Sequence, residues 1–343
     1  MSEPRPRASG RIPLPARLLL QRGDLSYLAV RTPFGPHLTP VVYVLDGERL
    51  WVTTSRGSVK ARAWRRWPHV AGMVTDGDEA VTFRGGVRTF DAFDPVSWPG
   101  ALLAGPRLVE AATRFTLKNA RFFAGYAVDA GRVPLAWTPP GRLFAAIRPA
   151  AGRLLGDVHA PLSDVPWGEW PTGASYRATF AALPRRRPVD RAVPAEVRTR
   201  VGAAGTGAVA LEGMSGLTVL PVAWRRVAQD GSYEATLPAA QLELAGAGPE
   251  APAGLTVDHA SSWRASEMSG MLLQGRASLF SPASTHRGRA ELLRRLGGDE
   301  RLALIRLVPG RIVWWEGWTS GSVRDAVPAG RRRVRASGAT VGP

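Results

Sequence analysis

HLTPVVYVLDGERLWVTTSRGSVKARAWRRWP, residues His37 to Pro68, is the stretch whose reading decides the fold. Residues 36–45 are rich in β-branched and aromatic side chains, which suit a strand. Asp46-Gly47 is a two-residue hairpin signal, because glycine there accepts a positive φ. Leu50 to Thr54 reads as the returning strand. A loop of small residues follows, and Ser58 is placed to cap a helix that stops at Pro68. Thr53, Thr54, Ser55, Arg56, Ser58 and Lys60 gather at that helix start. Hydroxyls, free backbone amides and cations in that position are what an anionic phosphate requires. The plainer alternative is a solvated lysine on a first helical turn.

Working outward, Asp24 to Arg31 alternates and ends at Thr32-Pro33, so it reads as a strand preceding the first two. Three successive antiparallel strands make a meander, which in a long chain points to a barrel or sandwich. Residues 13–22 fit a short helix. Trp64 and Trp67 fall on one helix face and are expected in the core. Val70 to Thr75 and Ala80 to Phe93 read as strands about a turn at 76–78. Gly85-Gly86 marks a bulge or a close backbone approach. Residues 102–126 carry helical spacing. Leu143 to Ile147 and Gly152 to Leu155 read as two strand pieces flanking a turn. The expected organisation is a disordered segment at 1–12, a first body at 13–158, a Pro/Arg-rich linker at 159–192 with a possible strand at 175–182, a second body at 193–327 and a disordered basic tail at 328–343.

The second body repeats the first. Residues 29–40 align without gaps on 210–221, Pro40 falling on Pro221. Asp46-Gly47 has a counterpart in Asp230-Gly231, and Gly85 to Phe90 resembles Gly275 to Phe280. Ile147-Arg148-Pro149 resembles Ile305-Arg306-Leu307. Each match is short, but their order is preserved along the chain, which argues for duplication.

Composition bounds the function. The 343 residues carry 45 Lys+Arg against 28 Asp+Glu, a formal charge of +17, and no cysteine. Disulfides, thiolate metal sites and cysteine nucleophiles are therefore excluded. The basic residues are almost all arginine and spread along the chain, without interleaved aromatic stacking positions, so nucleic acid is an unlikely partner. No apolar run reaches about 18 residues, so no membrane span is expected, and the N-terminal run at Leu18 to Leu20 is too short for a signal peptide. A cytoplasmic location is the resulting expectation. His37, His69, His159, His259 and His286 lack metal-ligand spacing, so no metal site is expected; His37 stands at the entry to the strand at 36–45, where it lies beside the candidate site or, more plainly, is a turn residue facing solvent. GAAGTG at 202–207 precedes a strand and reads as a loop; no Walker or G-x-S-x-G run is present.

Residues 25–93 resemble the pyridoxamine 5'-phosphate oxidase-like family of FMN-binding split β-barrels. The resemblance is carried by Leu28-Ala29-Val30, by His37 to Val44, by Asp46-Gly47, and by Leu50 to Lys60 with the helix to Trp67 and Pro68. It implies a mainly β fold of two split-barrel repeats packed as an intrachain pseudo-dimer, with a homodimer as the other assembly. It implies that Thr53, Thr54, Ser55, Arg56, Ser58 and Lys60 hold a cofactor phosphate, and that Pro40, Val41 and Val42 lie beside the isoalloxazine ring. The implied cofactor is FMN, with a deazaflavin as alternative and haem as a lesser one. The implied activity is an FMN-dependent oxidoreductase acting on a small-molecule substrate by hydride transfer, the electron donor left open. The rival readings are a deazaflavin-dependent reductase, a non-enzymatic flavin or haem carrier, and a degenerate barrel kept as a binding module. No catalytic acid or base stands out. The second repeat departs from the pattern: Glu234 to Glu243 has no basic residue, two acids and a proline, which would repel a phosphate. One competent cradle per chain is expected. Arg311, Trp314 and Trp315 of the second repeat are candidates for its far wall, with core packing the simpler role for the tryptophans.

Overall fold

The structure is a computed structural model that describes residues 10–94, 98–134, 138, 141–156, 165–169, 189–214, 216–227, 229–259, 264–281 and 301–324. The expected strand at 175–182 and the tail at 328–343 lie outside the described residues, as does most of the segment at 1–12. Within that segment Ile12 is buried in the first core and its amide donates to Glu48.

The first repeat opens with α1 (Leu14–Arg22), followed by β1 (Leu25–Val30), β2 (His37–Asp46) and β3 (Arg49–Ser55). Gly47 sits at φ 58°, as the hairpin requires. Then come α2 (Val59–Arg66), β4 (His69–Asp76), β5 (Glu79–Phe90), three helices α3 (Trp98–Leu103), α4 (Gly105–Lys118) and α5 (Ala120–Val128), and the strands β6 (Arg142–Leu155) and β7 (Val165–Trp167). The strands order as β3-β2-β1-β4-β5-β6-β7, and β3 also pairs with β6, closing a six-stranded barrel. Closure leaves no unpaired edge between these strands.

Three local expectations need correction. Residues 142–155 form one strand rather than two pieces, because Ala150 is absorbed as a bulge opposite the Arg84/Gly85 step. Val165–Trp167 adds to the barrel edge within the stretch read as linker, with the Trp167 ring fully buried. Trp64 is buried, but Trp67 is exposed: α2 ends at Arg66, and Trp67 is extended at φ −142°, off the helix face.

After α6 (Ala195–Val201) the second repeat runs β8 (Ala204–Gly213), β9 (Gly216–Val227), β10 (Ser232–Pro238), α7 (Ala239–Leu244), β11 (Glu250–His259), β12 (Ser269–Phe280), β13 (Leu302–Glu316) and β14 (Thr319–Arg324). GAAGTG is thus only partly a loop, since β8 starts within it. Strand order is β10-β9-β8-β11-β12-β13-β14, closed by β10 with β13, the topology of the first barrel strand for strand. The bulge recurs at Gln274/Gly275. Registers confirm Pro40 with Pro221, since Tyr27 pairs with Pro40 and Ala208 with Pro221. They move one alignment by two residues: Val87 faces Ile147 while its counterpart Ala277 faces Leu307, so Ile147 corresponds to Leu307 and not to Ile305. The chain is a tandem duplication of one barrel.

The barrels pack as an intrachain pseudo-dimer, and one apolar cluster spans both, joining Ala29, Leu38 and Met73 to Val209, Leu220 and Leu255. Leu38 and Val219 are counterparts, and each carbonyl accepts a threonine hydroxyl of the other repeat, Thr256 and Thr82, at 2.7 Å. Arg31 and Glu212 are also counterparts, and they meet as an ion pair at 2.8 Å. In a homodimer that position would meet its own like charge; duplication let the two copies diverge to opposite signs. Being largely exposed, the pair stabilises by about 1 kcal/mol at most.

The bulge gives a stability test. A Cβ on Gly85 would lie 2.1 Å from the Arg148 carbonyl oxygen, whereas one on Gly86 has 3.9 Å to its nearest neighbour. Gly85→Ala is expected to destabilise by about 2–4 kcal/mol in denaturant titrations, with Gly86→Ala within about 1 kcal/mol of wild type.

Candidate anion and cofactor site

The cradle is built where β3 hands over to α2. Ser58 caps the helix, its Oγ accepting from the Ala61 amide at 3.0 Å and from the Thr54 hydroxyl at 3.0 Å. The Ser58 amide donates to the Ser55 carbonyl at 3.0 Å, tightening the loop. On the first turn of α2, Lys60 points inward, not to solvent: it is 5% exposed, and its Nζ donates to Thr39 Oγ1 at 2.5 Å. The sequence alternative of a solvated lysine is therefore set aside. Thr39 precedes Pro40, Val41 and Val42 on β2, so one contact ties the helix start to the strand of the expected ring-side residues. Those three alternate: Val41 packs on the barrel core, and Val42 joins an aromatic cluster with Trp51 and Phe90.

Other predicted residues are spent differently. The Arg56 guanidinium is bound by Asp91, which also holds Arg65 at 2.9 Å, and it lies over the Phe93 ring at 4.0 Å. Arg56 is thereby tied to an acid that it shares with Arg65. Thr53 accepts from Arg142, at Oγ1 from Nε at 2.5 Å and at its carbonyl from an Nη at 2.9 Å.

Two further residues belong to the group: Arg142, which sequence reasoning does not place here, and His37, which it puts at the entry to the ring-side strand with a solvent-facing turn as the plainer reading. Arg142 starts β6 opposite Ser55, a position only barrel closure brings to the cradle. His37 is buried at the start of β2, correcting its reading as a solvent-facing turn residue, and its Nδ1 has no hydrogen-bond partner. Burial, then the charges of Lys60, Arg311 and Arg62, push the His37 pKa down to about 3, so its ring is neutral. Burial and Arg142 push Lys60 down to about 7. Among the described residues no carboxylate pairs with Lys60. A buried ammonium with no carboxylate beside it among these residues is costly unless an anion completes it.

From the second repeat, Arg311 donates to the Gln274 side-chain oxygen at 3.0 Å, and Gln274 donates back to the Gly35 and Pro36 carbonyls at 3.2 and 3.1 Å. Arg311 and Arg324 both lie over the Phe34 ring, at 4.9 and 4.4 Å. Arg276, Arg311 and Arg324 line an inter-barrel cleft of about 540 Å³ beside the Thr32 to Gly35 turn. Of the proposed wall, Arg311 reaches this region, while Trp314 and Trp315 pack against the large core.

The second repeat lacks the cradle for a geometric reason. Ser55 pairs with Arg142 and its counterpart Pro238 with Leu302, yet α7 begins at Ala239, directly after Pro238. The loop Arg56-Gly57-Ser58 has no equivalent, so no serine cap forms there.

Among the described residues no helix is long and apolar enough to cross a membrane, and no cluster of His, Asp and Glu could hold a metal. No protein-family model and no curated protein matches the chain. Solved structures similar to it include an F420 reductase (23% identity over 41% of this chain and 98% of that one, TM-score 0.28). A pyridoxamine 5'-phosphate oxidase-related, FMN-binding protein from Nostoc punctiforme matches at 17% identity over 39% of this chain and 74% of that one, TM-score 0.30. A putative pyridoxamine 5'-phosphate oxidase from Listeria innocua matches at 15% identity over 40% and 94%, TM-score 0.26. By strand order, closure and register, each half of the chain has the split-barrel fold of the pyridoxamine 5'-phosphate oxidase-like family that residues 25–93 resemble, in tandem.

Proposed function

We propose that the first repeat binds a flavin-type cofactor by its phosphate and that the protein is an FMN-dependent oxidoreductase. The observation that carries this reading is Lys60: a buried ammonium, bonded to one neutral hydroxyl, with Arg142 and His37 near it and, among the described residues, no acid paired to it. The Ser58 hydroxyl is the neutral donor offered to a phosphate oxygen, since the Thr54 hydroxyl and the Arg56 and Ser58 amides already donate within the fold. Pro40, Val41 and Val42 offer the strand against which a flat ring lies. A bound flavin supplies hydride chemistry at N5, and the chain's part is to hold its tail and exclude water.

A deazaflavin is the second reading, favoured by one observation: the arginines of the 540 Å³ cleft extend positive charge beyond the cradle, which suits a longer anionic tail.

Titrating the purified protein with FMN and with a deazaflavin, by absorbance and fluorescence, tests both. Because Lys60 sits near pKa 7 without a ligand, binding of the phosphate at pH 8 is expected to draw a proton onto Lys60. Calorimetry in buffers of different ionisation enthalpy should show uptake approaching one proton, and affinity should fall as pH rises above about 7. Absence of binding by either cofactor overturns the proposal.

A further inference from the structure

The two repeats serve as internal controls for each other, and at one place the comparison exposes a pair that the fold does not need. On β1, Tyr27 points across the barrel interface, and its hydroxyl lies 3.2 Å from both carboxylate oxygens of Asp258 on β11. Registers make Ala208 the counterpart of Tyr27 and Thr75 the counterpart of Asp258. The mirror position of the same interface is thus filled by a methyl and a hydroxyl. A carboxylate there is a local addition that packing did not demand, and a half-buried acid is a cost that mutation readily removes.

The pair opens on a cleft of about 360 Å³ between the barrels. It is lined by Pro221 to Ala223 on β9, the counterparts of Pro40 to Val42, and by Thr75, Asp78, Thr206 and His259. Among the described residues no lysine or arginine lines it, in a chain where 45 Lys+Arg outnumber 28 Asp+Glu. Burial holds Asp258 up at about 7 against the opposing hydrogen bond from Tyr27, while Tyr27 stays protonated as a donor. One phenolic proton leaves most of the carboxylate's accepting capacity open to the cleft.

We propose that this cleft binds a small organic cation, a protonated primary amine, with Asp258 as its counter-charge and Tyr27 fixing the carboxylate. The second repeat thereby carries a ligand site of opposite charge preference to the cradle at Lys60. The proposal does not depend on any cofactor in the first repeat.

The test uses benzylamine, cationic at neutral pH, and benzyl alcohol, its uncharged analogue, in ligand-observed NMR titrations of the full chain. Benzylammonium is expected to bind in the millimolar range at pH 8 and the alcohol at least about tenfold more weakly. Affinity should fall between pH 8 and pH 6 as Asp258 takes up its proton; His259 and Asp78 of the cleft and Tyr27 are the other titratable groups facing it. Asp258→Asn should lose at least about tenfold. Asp258→Thr installs the side chain the mirror position already accommodates; it should melt at or above the wild-type temperature and also lose binding. Equal binding of amine and alcohol, undiminished binding in either variant, or no benzylammonium binding up to about 50 mM overturns the proposal.

Discussion

Lys60→Met is expected to abolish phosphate-dependent cofactor binding while making the cofactor-free protein more stable. The two effects share one cause. Lys60 is buried with its pKa pushed down to about 7 from an ordinary 10.5, so the folded state resists the charge that the unfolded chain carries freely. The sign follows from proton linkage: the unfolded state binds the proton more tightly between those values, so stability is lost as pH falls from about 10.5 and the full penalty stands below about 7. Its ceiling is on the order of 5 kcal/mol, reduced by the bond to Thr39. Methionine keeps the length and apolar stem without the charge. The variant should therefore melt several degrees above wild type at pH 6–7, with the gap closing towards pH 10. Removing a charge-assisted contact should weaken cofactor binding by about 100-fold or more. Thermal melts across pH and parallel flavin titrations separate the outcomes. Should Lys60→Met melt no higher than wild type and bind cofactor equally well, Lys60 has no anion-binding role.

Gly254→Val is expected to force the two barrels apart. Gly254 lies on β11 at the inter-repeat contact, where a Cβ would sit 2.3 Å from the Pro36 carbonyl oxygen and 3.2 Å from its carbon. Both atoms are backbone of the other repeat, so no rotamer change relieves the clash. The barrels must separate locally, and the Gln274 bonds to the Gly35 and Pro36 carbonyls go with the contact. The loss is expected at about 3 kcal/mol or more, read as a lower denaturant midpoint, with faster proteolysis around residues 32–36. His37 is the next residue, so the same variant should also weaken cofactor binding. At the mirror position the counterpart is Ala71, which lines a cleft of about 460 Å³ with Gly216 and Leu217 and has room for its methyl. A wild-type denaturant midpoint for Gly254→Val would rule out this close packing of the repeats.

Much of the first barrel was legible because its signals are local. Asp46-Gly47, the Ser58 cap and the Pro68 stop act within a few residues, and period-two patterning marks the strands between them. Gly85-Gly86 was readable as a bulge because glycine alone tolerates that backbone approach. The duplication was readable from preserved order, but the offset at Ile147 was not: a strand that carries an extra bulge residue slips against a gapless alignment. Trp67 falls off the helix face because the backbone turns extended one residue after Arg66, where periodicity alone still extends the helix.

The sequence by itself determined the hairpin, the capped helix, the presence of two repeats and the lone lysine among arginines at a helix start. Each depends on residues adjacent in the chain or one helical turn apart. Only the tertiary structure decided that Lys60 is buried against Thr39, that Asp91 holds Arg56 together with Arg65, that Arg142 joins the group and His37 is buried, and that Asp258 meets Tyr27 across the interface. Those outcomes depend on burial and on charges brought together by barrel closure and barrel pairing, across separations such as Tyr27 to Asp258 that no local pattern encodes.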